Sequence, residues 1–539
     1  MDNIESYHEA SKHAPGRYAP GPGYLNWENQ PEPFRWFHGA KVHDLPLRQS
    51  LPDPLFEAMG QVGGIASQPL TLEALSRLLM YSLGLAAWKE YEGVRWSLRC
   101  HPSSGNLHPI EGYVIAPAVP GLPPGVHHYL SRDHVLETRW IPTAPDLWHR
   151  CFPAGTFLLA LSLIHWRETW KYGLRSFRYC QLNLGHASAA LSYAASFLGW
   201  RVTLRTDMGD DAMIRLLGLQ RPLAPEPEHP GLLLAISPAG DGADMTHENL
   251  ASLVALAESG EFQGHPNSLG HLPAQPWPGV EEAARYCHKG PTPSVTMSRD
   301  QPVVPPLVPA PTRQTATELI RARRSAQRYD GKSVLSLDSF FRMLDRLLPR
   351  RDIPPWSLLP GEPLVHPVVL VHRVREMQPG VYLLARSTSA VPGLRETLDP
   401  SFLWRVPAHT PSHLPLFLLR PGDCRAEAFH ISCQQDIAAD GAFSLGMLAN
   451  FSTGLAEGAW GYRALHWEAG ILGQVLYLAA EAEGIRGTGI GCFFDDLFHQ
   501  WMGLRNHGFQ TVYHFTVGVA MADRRLTTLH PYGHIGNRQ

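Results

Sequence analysis

The stretch Arg178–Leu219, RYCQLNLGHASAALSYAASFLGWRVTLRTDMGDDAMIRLLGL, returns 285 residues later as Arg463–Leu504, RALHWEAGILGQVLYLAAEAEGIRGTGIGCFFDDLFHQWMGL, and the two align without a gap. Arg178 falls on Arg463, Gly185 on Gly470, and Ala194-Ala195 on Ala479-Ala480. Gly199 falls on Gly484, Asp210-Asp211 on Asp495-Asp496, and Gly218-Leu219 on Gly503-Leu504. A repeat is read before local structure because it says how often one structural unit occurs. A match of this length without a gap is not chance, so the chain is expected to hold two copies of one fold. Within the repeat, Gly185 to Leu198 carries Ala and Leu three and four apart, the spacing of a helix. Each copy ends on a short apolar run, Leu232 to Ile236 and Val512 to Val517, that reads as a strand.

Further upstream a second match appears at an offset of 265, where Leu70–Leu79 meets Leu335–Leu344. Thr71 and Ser336 stand as N-cap candidates before apolar residues at helical spacing. Ile110 to Pro117 reads as a strand. Helices around a few strands predict an α+β fold, with the two copies fused into an intramolecular pseudo-dimer. Between the copies, Pro302, Pro305, Pro306, Pro309 and Pro311 mark an extended linker. The expected division is an N-terminal arm over residues 1–50, laid on the first domain, a first domain over 51–262, a linker over 263–312 and a second domain over 313–539.

A length of 539 residues exceeds what one core organises, which agrees with two domains. A formal charge of −3, with no basic stripe, argues against nucleic acid. The seven cysteines are scattered without a C-x-x-C pair, so neither a disulfide framework nor a zinc site is expected. The 28 histidines show no ligand spacing, and no metal is expected. The acidic start Met1-Asp2-Asn3-Ile4-Glu5 lacks a secretory signal, and no apolar run approaches the roughly 20 residues of a membrane span. A cytoplasmic protein with no membrane partner is the expectation.

Two local motifs carry chemistry. Leu319 to Asp330 (LIRARRSAQRYD) ends a helix-like run in Arg323-Arg324-Ser325. Arginine presents a planar charged fork that matches phosphate oxygens, and serine adds a hydroxyl donor. In the first copy, Pro102-Ser103-Ser104-Gly105-Asn106 is a turn of small polar residues that lets backbone approach a planar ligand.

Together with the repeat, these motifs resemble the nitroreductase superfamily, an α+β group of flavin-binding dimers. The resemblance runs from about Leu70 onward and implies FMN as cofactor. It implies that Arg323, Arg324 and Ser325 grip the FMN phosphate. Pro102, Ser103, Ser104, Gly105 and Asn106 would contact the flavin from the other copy, and Gly489, Ile490 and Gly491 would face its ring. Arg524 and Arg525, after the last strand, would add phosphate contacts. At the offset of 265 the first copy has Ala58-Met59-Gly60 where the second has Arg323-Arg324-Ser325. Aligning His108-Pro109 with His366-Pro367 keeps Pro360 but places Gly361-Glu362 where the first copy has Ser103-Ser104. Each copy retains the half that the other lost, so one composite flavin site and one decayed site are expected.

A narrower resemblance rests on Trp170-Lys171-Tyr172-Gly173 followed by Arg178-Tyr179. It is similar to the SagB/ThcOx-type azoline oxidases, and it implies that Lys171 and Tyr172 move a proton during oxidation of a peptide-derived heterocycle. Against it, a Lys-Tyr pair at a helix start commonly serves surface and packing alone. The expected activity is that of an FMN-dependent oxidoreductase acting on a small-molecule or peptide-derived substrate. Two alternatives stand beside it: an NAD(P)H-dependent nitro or quinone reductase, and a flavin-binding component of a peptide-modifying complex with little turnover. The fused pair would be complete as a monomer or would associate further.

Overall fold

The computed structural model describes residues 1–536 except 49, 221–225, 240–243, 259, 294–303 and 360. Pro302 and Pro360 lie outside the described residues. Strands of the first half form a seven-stranded sheet in the order Val42–Asp44, Val135–Trp140, Gly125–Leu130, Ile110–Ala116, Phe157–Leu163, His229–Pro238, Trp200–Leu204. Those of the second half form a six-stranded sheet in the order Leu416–Pro421, Gly380–Leu384, Val365–Val371, Phe443–Asn450, Phe509–Gly518, Arg486–Ile490. Strand for strand the second order repeats the first, less its outermost member, and neighbouring strands in both sheets run antiparallel. Antiparallel sheets with helices packed around them make an α+β architecture.

Two long helices, Ser176–Ser196 and Gly461–Ala482, form the join. Residues 176–195 of the first are all buried, so its stripe of small residues faces protein on every side. The helices cross where both present glycine. A Cβ on Gly185 would strike the Trp467 carbonyl oxygen, and a Cβ on Gly470 would strike that of Leu182. These four residues are two pairs at the offset of 285, so the contact is self-complementary, as at a two-fold interface. Trp467 Nε1 donates to Gln181 Oε1 at 2.8 Å, and His186 Nε2 lies 3.1 Å from the Tyr513 hydroxyl.

The N-cap expectations hold. Thr71 Oγ1 accepts from the Ala74 amide before helix Leu72–Met80, and Ser336 accepts from the Ser339 amide before helix Leu337–Asp345. Two boundary expectations need correction. The arm lies against both halves rather than over the first alone. Its helix Ile4–Ala10 donates from the Tyr7 hydroxyl to Leu174 O at 2.7 Å, and the His13 amide donates to Asp495 of the second half at 3.1 Å. Part of the expected linker is structured: strand His265–Pro266 pairs with Phe37–His38, and Pro278–Tyr286 is a helix. Val280, Ala283 and Cys287 recur at helical spacing and are buried, and Pro278 suits the first turn of a helix. That run is too short to stand out against its proline-rich surroundings.

A third sheet ties the halves at the periphery. Strand Thr527–Leu529, from the end of the chain, adds to the first-half hairpin Leu85–Tyr91/Val94–Arg99. Beyond it Tyr532 Oη accepts from the Leu85 amide at 2.9 Å. The exchange carries residues 520–526 across to the other half, over the site described next. Among the described residues no helix is long and apolar enough to cross a membrane.

Candidate functional site

A cavity of about 520 Å³ opens between the halves. The first half contributes Lys89, Arg99, Pro102, Ser103 and Asn106, and the second contributes Arg323, Arg324, Ser325 and Arg486 with the segment Ala520–Asp523. Arg323 caps helix Ala316–Ala322 and is buried. Its Nε donates to Cys100 O at 2.9 Å and its Nη2 to Arg99 O at 3.3 Å, joining it to the opposite half. Nη1 is buried without a hydrogen-bond partner. Arg324 donates from Nη1 to Arg321 O at 2.6 Å and Arg323 O at 2.7 Å. Burial, and then the neighbouring Arg323, pull its pKa down to about 10. Lys89 is lowered as well, first by burial and then by Arg324 and Arg486. These cations repel one another in a half-buried site, which is the field an anion would relieve.

Ser325 is placed by a relay: its Oγ lies 2.8 Å from the Tyr477 hydroxyl, and that hydroxyl accepts from the Gly489 amide at 2.9 Å. Gly489 and Ile490 close strand Arg486–Ile490, and Gly491 follows. A Cβ on Gly489 would strike the Tyr513 hydroxyl, and one on Gly491 would come within 2.5 Å of the Tyr179 ring, so both glycines permit close packing of backbone on tyrosines. Gly491 O accepts from Arg175 Nε at 3.3 Å. The Asp495-Asp496 step then opens helix Asp495–Trp501, and buried Asp495 pairs with Arg175 and Arg178 of the first half at 2.9 and 2.6 Å. Burial works against its charge, but the two guanidiniums hold its pKa far below the carboxylate range.

The turn at 102–106 is held from within. Ser103 Oγ accepts from the His108 amide at 2.9 Å, and Asn106 Nδ2 donates to Ser97 O at 2.8 Å. Ser104 Oγ accepts from Asn183 Nδ2 at 3.3 Å. Gly105 has φ +57°, and a Cβ there would sit 2.6 Å from the Tyr172 hydroxyl and 3.2 Å from Lys171 Cδ. The turn thus lies directly against Lys171 and Tyr172, which end helix His165–Tyr172 instead of starting one. Tyr172 packs edge-on to Tyr179 at 4.6 Å, and Lys171 Nζ is 5.6 Å from the Tyr172 ring. Buried Glu168 on the same helix has its pKa raised well above the usual range by desolvation, although Lys171 opposes this. Its Oε2 has no hydrogen-bond partner.

Arg524 and Arg525 do not enter the cavity. Both are exposed, and Arg525 is drawn outward by Asp523, with Nη2 2.7 Å from Oδ2. The cations at this position are instead Lys89 and Arg486, which sequence reasoning missed. Arg486 had a signal, because it lies inside the repeat opposite Arg201; Lys89, a lone lysine in a strand, had none.

A second cavity of about 560 Å³ is lined by Ala58, Met59, Gln61, Arg201 and Asp352. Ala58 and Met59 line it as Arg323 and Arg324 line the first, and Arg201 stands for Arg486. Arg201 is taken up by Asp244 at 2.6 Å. Glu362 does not oppose this cavity as the alignment suggested: it is exposed and accepts from Ser387 and Ser389 at 2.9 and 2.7 Å.

No family model matches the chain. A candidate nitroreductase from Methanocaldococcus jannaschii is 28% identical over 139 residues, which span 25% of this chain and 67% of that protein. Among solved structures, a candidate nitroreductase from Anabaena variabilis superposes on 97% of this chain and 100% of its own, with a TM-score of 0.68 and 23% identity. Another from Ralstonia eutropha covers 42% of this chain and 99% of its own, with a TM-score of 0.28 and 20% identity. The chain is therefore similar in sequence to a nitroreductase over a quarter of its length, and shares a nitroreductase-like fold over nearly all of it.

Proposed function

We propose that the chain is an FMN-dependent oxidoreductase with one flavin site, formed between two fused copies of a nitroreductase-type fold. The observation that carries this reading is the cation-lined cavity between the halves, with the buried, unpartnered Nη1 of Arg323 in its wall. Its volume of about 520 Å³ suits a cofactor, and its donors suit a phosphate at one end. Bound FMN would supply hydride transfer at N5. Lys89, Arg323, Arg324, Arg486 and Ser325 would hold the phosphate. Ser104, Gly105 and the Gly489–Gly491 backbone would border the ring. The reciprocal Gly185–Gly470 crossing supports duplication, with one chain forming the whole pseudo-dimer.

On the substrate side, Lys171 and Tyr172 would hold or move a proton at Nζ and Oη. Buried Glu168, whose pKa desolvation raises well above the usual carboxylate range, stands one helical turn before that pair. The resemblance of Trp170–Gly173 to the azoline oxidases makes oxidation of a heterocycle in a small or peptide-derived substrate the reaction of this reading. A second reading, NAD(P)H-dependent reduction of nitro or quinone compounds, draws on the name borne by the Methanocaldococcus relative. Counting flavin released from the purified chain tests the common ground. About one FMN per chain is expected, because Ala58 and Met59 offer no phosphate grip; no flavin, or two per chain, would refute the assignment.

A further inference from the structure

His165, His229 and Glu281 belong to three different elements: helix His165–Tyr172, strand His229–Pro238 and helix Pro278–Tyr286. Among the described residues they are the one group of three metal-ligating side chains whose ligand atoms all lie within 4.8 Å of one another. None of them lines the cation-rich cavity. Glu281 Oε1 is 3.8 Å from His165 Nδ1, and its Oε2 is 3.5 Å from His229 Nε2. The two imidazoles face each other at 4.0 Å with 18° between their planes. His165 is only 3% exposed, yet neither of its ring nitrogens has a hydrogen-bond partner, and neither has His229 Nε2. Buried polar atoms are nearly always satisfied, so one nitrogen from each ring standing beside the carboxylate without a hydrogen bond requires an explanation.

We propose that these residues form a binding site for a zinc-type divalent cation, independent of the flavin. Imidazole nitrogen and carboxylate oxygen suit such an ion, with bonds of about 2.0–2.2 Å. Tetrahedral bonds of that length place neighbouring ligand atoms about 3.3–3.6 Å apart, which the 3.5 Å between Glu281 Oε2 and His229 Nε2 matches. Convergence of both lone pairs needs one ring to pivot about its Cβ–Cγ bond. Glu281, whose side chain is 50% exposed, can follow that movement and leaves the fourth position open to water. The ion would clamp the connector helix Pro278–Tyr286 onto the helix that ends in Lys171-Tyr172. No local spacing rule finds these ligands because they come from distant parts of the chain.

The test uses the tag-free, full-length, flavin-loaded protein, stripped with EDTA and titrated with ZnCl2 against a chromophoric chelator. One zinc per chain is expected, with affinity at least tenfold weaker in Glu281→Gln and in His229→Gln. Zinc should raise the unfolding temperature of the parent and leave that of Glu281→Gln unmoved, since only ligand bound to the native state stabilises it. Glu281→Gln changes a half-exposed side chain, and an unchanged unfolding temperature without zinc would verify its fold. Flavin content should be the same in all three proteins, which separates this result from the flavin reading. Absence of stoichiometric zinc, or equal zinc binding by the parent and Glu281→Gln, would overturn the site.

Discussion

Replacing Arg324 and Arg486 together by alanine should remove the grip on the flavin phosphate while sparing the fold. Both side chains are half-buried, and the groups they now contact can be resolvated. Arg324 serves the Arg321 and Arg323 carbonyls, and Arg486 sits 3.3 Å from Glu481. A hydrogen bond to a charged group contributes about 1.5–3 kcal/mol, so two such contacts amount to about 3–6 kcal/mol. At about 1.4 kcal/mol per decade, FMN binding should weaken by about 10² to 10⁴-fold. Arg323 is a poorer choice for this experiment because it also joins the halves through Cys100 O and Arg99 O. Deflavinated parent and variant are titrated with FMN and with riboflavin, following flavin fluorescence at fixed ionic strength. The loss should be confined to FMN, and riboflavin, which lacks the phosphate, should bind both proteins alike. FMN affinity within about threefold of the parent, or an equal loss for riboflavin, would refute the reasoning.

Asp495→Ala should destabilise the chain by about 3–5 kcal/mol, since it leaves Arg175 and Arg178 buried and unpaired at the join; a loss below about 1 kcal/mol in urea unfolding would contradict this. His128 gives a pH dependence: burial lowers its pKa, but hydrogen bonds to Glu111 and Glu137 outweigh burial and lift it to about 9. A raised folded-state pKa means its stabilisation is full below the unfolded value of about 6.5 and is lost as pH rises through the folded one, on the order of 3 kcal/mol across that window. Urea midpoints at the two ends of the window should differ more for the parent than for His128→Gln, and equal slopes would count against the pair. With a thiazoline-bearing peptide as substrate, Tyr172→Phe and Lys171→Met should lower kcat by about 10² to 10⁴-fold at unchanged flavin content; undiminished turnover in both would remove them from proton transfer.

What was legible in the sequence follows from how each feature is encoded. The helix crossing at Gly185 and Gly470 tolerates no side chain, so both halves carry glycine there and the repeat can be read across 285 residues. Arg323-Arg324-Ser325 and Pro102–Asn106 are contiguous, and contiguity is what a motif search sees. Lys89 and Arg486 reach the same cavity from two different strands, and only the tertiary arrangement gathers them. Arg524 and Arg525 failed for the opposite reason. Adjacent in sequence to residues that line the cavity, both are exposed, and Asp523 takes up the Arg525 side chain.

The two cavities also separate charge from space. The second is no smaller than the first, about 560 against 520 Å³, although it lacks the arginine pair. It is bordered by the turn at Phe56–Gly60, the strand Trp200–Leu204 and, from the first crossing helix, Ser192 and Ser196. Reshaping that frame would disturb the packing that also builds the first cavity, where even small volume changes are costly. Ala58 and Met59 cost the fold nothing comparable, because an arginine pair there would carry the burial cost and mutual repulsion that Arg324 shows beside Arg323. Glu362 is consistent with this, since its carboxylate turned to Ser387 and Ser389 instead of filling the space. The asymmetry between the halves is therefore one of charge between cavities of similar volume. Charge is written in side chains, so the sequence discloses it; a cavity is written in packing and had to be seen.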